Sequence, residues 1–318
     1  MLGVMGETQR KRPQAARWGR IAARVNGVFL LVACAPGAVR ASAEFDASRA
    51  WTDLERMVAF GERYSGSEAI ESLRQYLEAE LRAVGLEPVR ESFEETTPVG
   101  PIAFANVFVD LPGAAPDAPL VILTTHFDTK RLGPEFQGAN DGGSGTAVLL
   151  ELARVLAAES EPRPLAYRLL FLDGEEAVRS KWQDPDNRYG SRHHVIQLVE
   201  SGEVQRVSAC ILIDMVGDAK LKLFQESYSD RELLELFFRA AEENGLGAHV
   251  RGPRQEILDD HLSFMMANIP SINLIDFQYG PRNAYWHTAD DNLEHVSAES
   301  LGVTGKILLY GLDALERR

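Results

Sequence analysis

The chain has 318 residues, of which 45% are hydrophobic and 25% charged, a composition typical of a globular protein with a full apolar core. Its formal net charge of -14 argues against nucleic-acid binding, because an acidic surface repels phosphate backbones. Cys34 and Cys210 are the only cysteines in the sequence, which excludes a disulfide framework and a cysteine zinc site.

The first 43 residues have the layout of a secretory signal. Six basic residues precede an uncharged segment, 25–39, that is too short to span a membrane, and Ala-Ser-Ala follows at 41–43. Leu-Val-Ala-Cys at 31–34 resembles the lipobox of bacterial lipoproteins, in which the cysteine is lipidated and becomes the new N-terminus. Two alternatives stay open: a lipid anchor at Cys34, or cleavage after Ala43.

Either alternative predicts an exported protein that is periplasmic, lipid-anchored or secreted. Only the first alternative, a lipid anchor at Cys34, would attach it to a membrane. Residues 44–318 are expected to form a single catalytic domain. Loss of residues 1–33 removes six basic residues and one acid, which lowers the formal charge from -14 to -19.

Helical and strand patterns alternate along the rest of the chain. Segment 86–93, with a Pro-Val-Gly-Pro turn at 98–101, predicts an antiparallel edge strand. Helical periodicity occurs at 48–62, 67–84, 146–158, 190–201, 230–244 and 298–316. Apolar runs suited to buried strands lie at 105–111, 120–124, 168–172, 208–213 and 271–275. This alternation predicts an α/β fold, a three-layer α/β/α sandwich with a mixed, mostly parallel sheet.

Carboxylates and imidazoles gather after the predicted strands or just before a helix. In an open α/β sheet the carboxyl ends of the strands face one crevice, where ligands bind. So many carboxylates in one cleft repel one another unless protonated or neutralised, and a divalent cation is the simplest neutraliser. A set of imidazoles and carboxylates without thiolate suits catalytic zinc. The candidates are His126, Asp128, Asp141, Glu175, Glu176, Asp214, Asp259, Asp260 and His287.

Each of these motifs also has a structural interpretation. The Asn-Asp-Gly-Gly stretch at 140–143 could be a loop with a helix cap, and a single half-buried histidine needs no metal. Their joint placement at successive strand ends favours a metal site. His261 is interpreted as a residue that orients the preceding Asp259–Asp260 pair, and Cys210 as a core residue. The other histidines are interpreted as structural or surface residues: His193, His194, His249 and His295.

These motifs and their order resemble those of the zinc exopeptidases that include bacterial leucyl aminopeptidases. Within that superfamily the closer resemblance is to the animal-type glutaminyl-peptide cyclotransferases, or glutaminyl cyclases, from about Tyr64 onward. Asp-Gly-Glu-Glu-Ala at 173–177, followed by Trp182 and by Tyr-Gly-Ser-Arg-His at 189–193, looks like the signature of the cyclases. Aminopeptidases usually have a shorter spacing there and lack the tryptophan.

The resemblance implies the exopeptidase sandwich and a single zinc ion. The enzyme would convert the N-terminal glutamine of peptides or proteins to pyroglutamate with release of ammonia. Asp259 is preferred to Asp260 for the hydrogen-bond network around the acid/base. The implied residues are Asp141, Glu176 and His287 for zinc, Glu175 as the acid/base, Asp214 and Asp259 for the network, and Trp182 and Trp286 as walls of the substrate pocket.

Two other functions stay open. A zinc aminopeptidase would use nearly the same residues, with His126 and Asp214 available for a second zinc. A catalytically silent binding protein is disfavoured because Glu175 and the zinc ligands are all present. The chain also departs from the animal cyclases in three places: one additional residue lies before Trp182, Asn273 stands where a histidine is expected, and Thr125 stands where secretory members carry a disulfide cysteine.

Overall fold

The computed structural model describes residues 44–161 and 163–318. The predicted signal region, with Cys34 and Ala43, therefore lies outside the described residues. Within the described ranges, no helix is both long and apolar enough to cross a membrane.

All six predicted helices occur, within a few residues of their expected ends. Side chains of Asp46, Ser67, Asp230 and Ser297 accept hydrogen bonds from first-turn backbone N–H groups and so fix four helix starts. One further helix, α6, was not predicted, because six residues are too few to show helical periodicity. The helices are α1 Ala47–Val58, α2 Glu68–Ala83, α3 Gly143–Ala157, α4 Tyr189–Ser201, α5 Arg231–Glu243, α6 His261–Met266 and α7 Ala298–Glu316.

Six strands form the main sheet in the order β1-β2-β4-β3-β5-β8. β4, β3, β5 and β8 run parallel, while β1 and β2 add an antiparallel hairpin beside β4. The predicted mostly parallel mixed sheet is therefore confirmed, although the antiparallel part includes β2 as well as the edge. The strands are β1 Val89–Thr97, β2 Gly100–Leu111, β3 Leu120–His126, β4 Ala166–Leu172, β5 Val207–Asp214, β6 Gln225–Glu226, β7 Arg254–Gln255 and β8 Ser271–Ile275.

Both faces of the sheet are covered by helices, as strand β3 illustrates. Val121 and Leu123 join the large core under α1, α2, α3, α5 and α7. Leu120 and Ile122 join a smaller core under α4 and α6. All four side chains are buried, which is typical of a parallel strand between two helical layers. The parallel strands end at one edge of the sheet, so the polar residues that follow them lie close together.

Candidate metal centre and substrate cavity

Two histidines and three carboxylates meet at this edge of the sheet. His126 ends β3, and its Nε2 lies 3.3 Å from Asp141 Oδ1 and 3.1 Å from Asp214 Oδ1. On the other side of Asp141, His287 Nε2 lies 3.1 Å from Asp141 Oδ2 and 2.8 Å from Glu176 Oε1. Asp141 therefore belongs to two triplets, and in each the ligand atoms lie within 4.8 Å of one another. We call these five residues the metal cluster.

The donor atoms of the metal cluster fit a zinc ion. They are imidazole nitrogens and carboxylate oxygens, the donors used in catalytic zinc sites. Burial lowers the pKa of His287, but its hydrogen bonds with Asp141 and Glu176 raise it overall to about 10. Glu176 Oε2 accepts no hydrogen bond from any described residue, although Lys130 Nζ lies 3.3 Å away. Carboxylates that stabilise a protonated imidazole in this way also stabilise a bound divalent cation.

A tight turn before α3 presents Asp141 to the cluster. The buried Asp291 carboxylate accepts hydrogen bonds from the backbone N–H groups of Asn140 at 2.7 Å and Asp141 at 3.1 Å. Gly142 has a φ of +79°, and a Cβ there would lie 2.5 Å from the carbonyl oxygen of Asp128. The glycine is therefore required by both backbone conformation and space.

Asp128 fixes the two adjacent glutamates that follow β4. Its carboxylate accepts hydrogen bonds from the backbone N–H groups of Glu175 and Glu176, both at 3.1 Å. The two side chains then differ in their partners, since Glu176 contacts His287 whereas Glu175 Oε1 accepts a hydrogen bond from Trp182 Nε1 at 2.9 Å. The two adjacent glutamates therefore lie in different environments, Glu176 beside a histidine of the metal cluster and Glu175 beside a tryptophan.

Glu175 has the properties of a group that exchanges protons. Burial, and then the negative charge of Glu176, raise its pKa well above the usual range for a glutamate. Glu175 is in neither metal triplet. A buried carboxyl group with a raised pKa beside a metal site suits general acid/base catalysis.

A cavity of about 180 Å³ opens above the metal cluster. Trp182, Trp286, Ile257 and Phe277 supply its apolar walls. The polar part is Asp141, Glu175, Glu176, Asp214, Asp259, Glu256 and His287.

The structure places Asp259 rather than Asp260 in the cavity lining. Asp259 Oδ2 accepts a hydrogen bond from Asn273 Nδ2 at 2.7 Å, so the asparagine occupies a polar position next to the cavity. Asp260 faces away, and its Oδ1 accepts a hydrogen bond from Ser191 Oγ. Burial, and then the charge of Asp214, raise the pKa of Asp259 to about 7. The catalytic role of Asp259 stays a prediction.

Sequence reasoning did not assign roles to Lys130 and Asp291. Lys130 is buried behind Glu176 and donates a hydrogen bond to the carbonyl of Ala177 at 2.7 Å. No local sequence pattern marked Lys130, whereas Asp291 lies in an Asp-Asp-Asn segment close to His287.

The remaining histidines lie outside the metal cluster. His261 Nε2 lies 3.2 Å from Glu226 Oε2, and neither His261 nor the other histidines outside the cluster belong to a metal triplet. Cys210 is a buried free thiol.

The sequence model of Peptidase family M28 matches residues 106–312, from β2 into α7. This chain belongs to peptidase family M28. The matched segment contains every residue of the metal cluster, together with Glu175 and both tryptophans of the cavity wall.

Similar proteins of known name include cyclases and an exopeptidase. The chain is 30% identical over 295 residues to a mouse glutaminyl-peptide cyclotransferase-like protein, covering 83% of this chain and 75% of the relative. The solved glutaminyl cyclase of an Acidobacteriales bacterium is 31% identical, with a TM-score of 0.83 over 88% of this chain and 98% of that structure. A Zn-dependent exopeptidase from Parabacteroides distasonis is 26% identical, with a TM-score of 0.75 over 85% and 98%. The resemblance to the cyclases within the exopeptidase fold is confirmed.

Proposed function

We propose that this protein is a zinc-dependent glutaminyl-peptide cyclotransferase that converts the N-terminal glutamine of peptides or proteins to pyroglutamate and releases ammonia. The observation that carries the proposal is the hydrogen bond from Trp182 Nε1 to Glu175 Oε1. It joins the tryptophan of the cyclase-like signature to the acid/base and closes one side of the cavity. The cyclases among the relatives support the same function.

A zinc ion held by Asp141, Glu176 and His287 would supply a Lewis acid that polarises the γ-carboxamide of the substrate and stabilises developing negative charge on its oxygen. The substrate's own α-amine forms the new bond to the carboxamide carbon, and the bond from that carbon to the amide nitrogen breaks. Glu175 accepts the proton of the attacking amine and returns it to the departing ammonia. Trp182 Nε1 donates to only one of the lone pairs of the Glu175 carboxylate, so the group can still accept the amine proton.

The walls of the cavity are suited to hold the substrate in a reactive conformation. Both reacting groups belong to one glutamine residue, so its side chain must be held in a bent rotamer with amine and carboxamide in contact. Trp182 and Trp286 line the cavity and offer apolar surface against which the aliphatic part of the glutamine side chain can pack. Holding such a near-attack conformation supplies a large part of the rate in intramolecular reactions.

A zinc aminopeptidase is the second candidate, because Asp141 is shared by two metal triplets. In that reaction Glu175 would deprotonate a water molecule that attacks the first peptide carbonyl. His126 and Asp214 would then hold a second zinc with Asp141. We propose one zinc, as the resemblance to the cyclases implies.

The deciding experiment offers the protein a Gln-initiated peptide and, separately, an aminoacyl-nitroanilide. Loss of one ammonia from the peptide without shortening is the expected result, with one zinc per chain by metal analysis. Release of free amino acids or nitroaniline without ammonia would instead identify an aminopeptidase.

We also propose that the protein is exported, on the basis of the signal-like layout of residues 1–43. The intact mass of the mature protein separates a lipidated Cys34 from a free N-terminus after Ala43. An unprocessed N-terminus on a cytoplasmic protein would contradict export.

A further inference from the structure

The rim of the cavity carries a carboxylate that the proposed reaction does not use. Six carboxylates line the cavity, and no Lys or Arg of the described residues is among the lining side chains. Five of the six belong to the metal cluster or to Glu175 and its network. Glu256 is the sixth, and its side chain is exposed at the mouth.

Glu256 is held in place and is not neutralised. Tyr228 Oη donates a hydrogen bond to Glu256 Oε2 at 3.1 Å. Within the described residues this is the one hydrogen bond of the Glu256 side chain, and no ion pair compensates its charge. The backbone beside it is also fixed, because Ile257 N donates to the buried Glu226 carboxylate at 3.2 Å. A positioned charge loses little entropy when it binds a partner.

Next to this carboxylate the rim is apolar. Leu258 lines the mouth and is 55% exposed, and Tyr228 is 37% exposed. Lysine and arginine side chains lay their aliphatic stems on apolar surface while the charged end reaches a carboxylate. The combination of Leu258 and Glu256 therefore matches a basic side chain better than an acidic one.

We propose that Glu256 selects among Gln-initiated peptides by the charge of the residues that follow the glutamine, favouring lysine or arginine and disfavouring aspartate or glutamate. This rests on the proposed cyclase function. When the glutamine side chain fills the cavity, the following residues lie at its mouth beside Glu256. Electrostatic attraction between Glu256 and a basic peptide residue acts on substrate binding. The preference for basic peptides is therefore expected to change KM more than kcat.

The test compares kcat/KM for three peptides that begin Gln-Lys, Gln-Ala and Gln-Glu, with ammonia release as the readout. The wild type is expected to prefer the Gln-Lys peptide. Glu256→Gln is expected to lower the Gln-Lys to Gln-Glu ratio about threefold, as an exposed ion pair contributes modestly. Added salt should lower the wild-type ratio toward that of the variant, because it screens exposed charges.

Glu243→Gln is the matched control. Glu243 is exposed at the end of α5 and does not line the cavity, so the substitution removes the same charge from the chain without changing the rim. Its ratio should equal that of the wild type. If the wild type and Glu256→Gln both release ammonia and show the same Gln-Lys to Gln-Glu ratio of kcat/KM, the inference is overturned while the proposed function stands. No ammonia from any peptide would overturn the proposed function and the inference with it.

Discussion

Helix α3 connects two regions in which carboxylates are buried with opposite consequences. At its N-terminal end Asp141 belongs to the metal cluster. In its second half, Glu151 and Arg154 belong to a group that we call the arginine network. The network also contains Arg49 and Asp53 of α1 and Glu80 of α2.

In the arginine network every carboxylate contacts a guanidinium. Arg154 pairs with Asp53, and its Nη2 lies 2.8 Å from Glu80 Oε2. Arg49 Nε lies 2.6 Å from Glu151 Oε2. These pairs tie α1 and α2 to α3. Breaking such a buried pair leaves an uncompensated charge.

In the cavity the carboxylates face histidines and one another, and no arginine lines it among the described residues. Burial and like charges raise the pKa values of Glu175, Asp214 and Asp259. Structural and functional carboxylates in these two regions therefore differ in their partners. In the arginine network the buried acids pair with arginine and hold helices together, whereas the acids at the metal cluster and around Glu175 have no arginine partner within the described ranges and suit binding a metal ion and a proton.

The largest expected effect is on catalysis. Glu175→Gln should lower the rate of ammonia release by about 10²- to 10⁴-fold, the usual contribution of a general acid or base. Bound zinc should be retained, because Glu175 is in neither metal triplet. Turnover and metal content measured on one preparation check both statements.

Glu176→Ala is the comparison variant, since it removes a predicted zinc ligand. It should lose both metal and activity. Full activity in Glu175→Gln would contradict the proton-transfer role and, with it, the contrast between the two adjacent glutamates.

The next effect is on stability and belongs to the arginine network. Arg154→Met should lower the free energy of unfolding by about 3–5 kcal/mol, because the buried Asp53 loses its guanidinium partner. Chemical denaturation measures the loss, and zinc content should not change. Arg239→Met is the control, because its Nε lies 3.7 Å from Glu235 on an exposed face and the change should cost about 0.5 kcal/mol or less. Equal losses in the two variants would remove the distinction between buried and surface pairs.

Much of the fold could be predicted because its signals are local. The long helices show a 3.6-residue period, and strands such as β3 and β5 are short apolar runs between them. The two-residue strands β6 and β7 depend on the distant pairing of Gln225 with Arg254 and Glu226 with Gln255, which no local pattern reveals. The antiparallel course of β2 against β4 likewise depends on the tertiary structure.

The candidate site was predictable to the extent that its residues follow strands. His126, Glu176 and Asp214 come at or within four residues after the ends of apolar runs, so their convergence could be expected from sheet geometry. Their supporting contacts could not. The backbone hydrogen bonds that Asp128 accepts, and the position of Lys130 behind Glu176, join segments about 47 residues apart in the chain and exist only after folding.

The smallest expected effect tests whether the carboxylates of the cavity cost stability. Burial raises the pKa of Asp259 to about 7, so the native state holds this proton more tightly than the unfolded chain, whose aspartates titrate near about pH 4. Ionisation of Asp259 therefore destabilises the native state as the pH rises from about 4 to about 7. Asp259→Asn removes this cost and can still accept the hydrogen bond from Asn273.

In metal-free protein, the free energy of unfolding of Asp259→Asn should exceed that of the wild type by about 0.5–2 kcal/mol at pH 8, and the gain should shrink toward pH 5. Urea denaturation at both pH values measures this, with the exposed Asp117→Asn as a control that should show no such trend. The activity of the zinc-loaded variant should fall, because Asp259 is predicted to belong to the catalytic network. A variant that is less stable at pH 8 than at pH 5, relative to the wild type, would show that the fold compensates this carboxylate as fully as it compensates those of the arginine network.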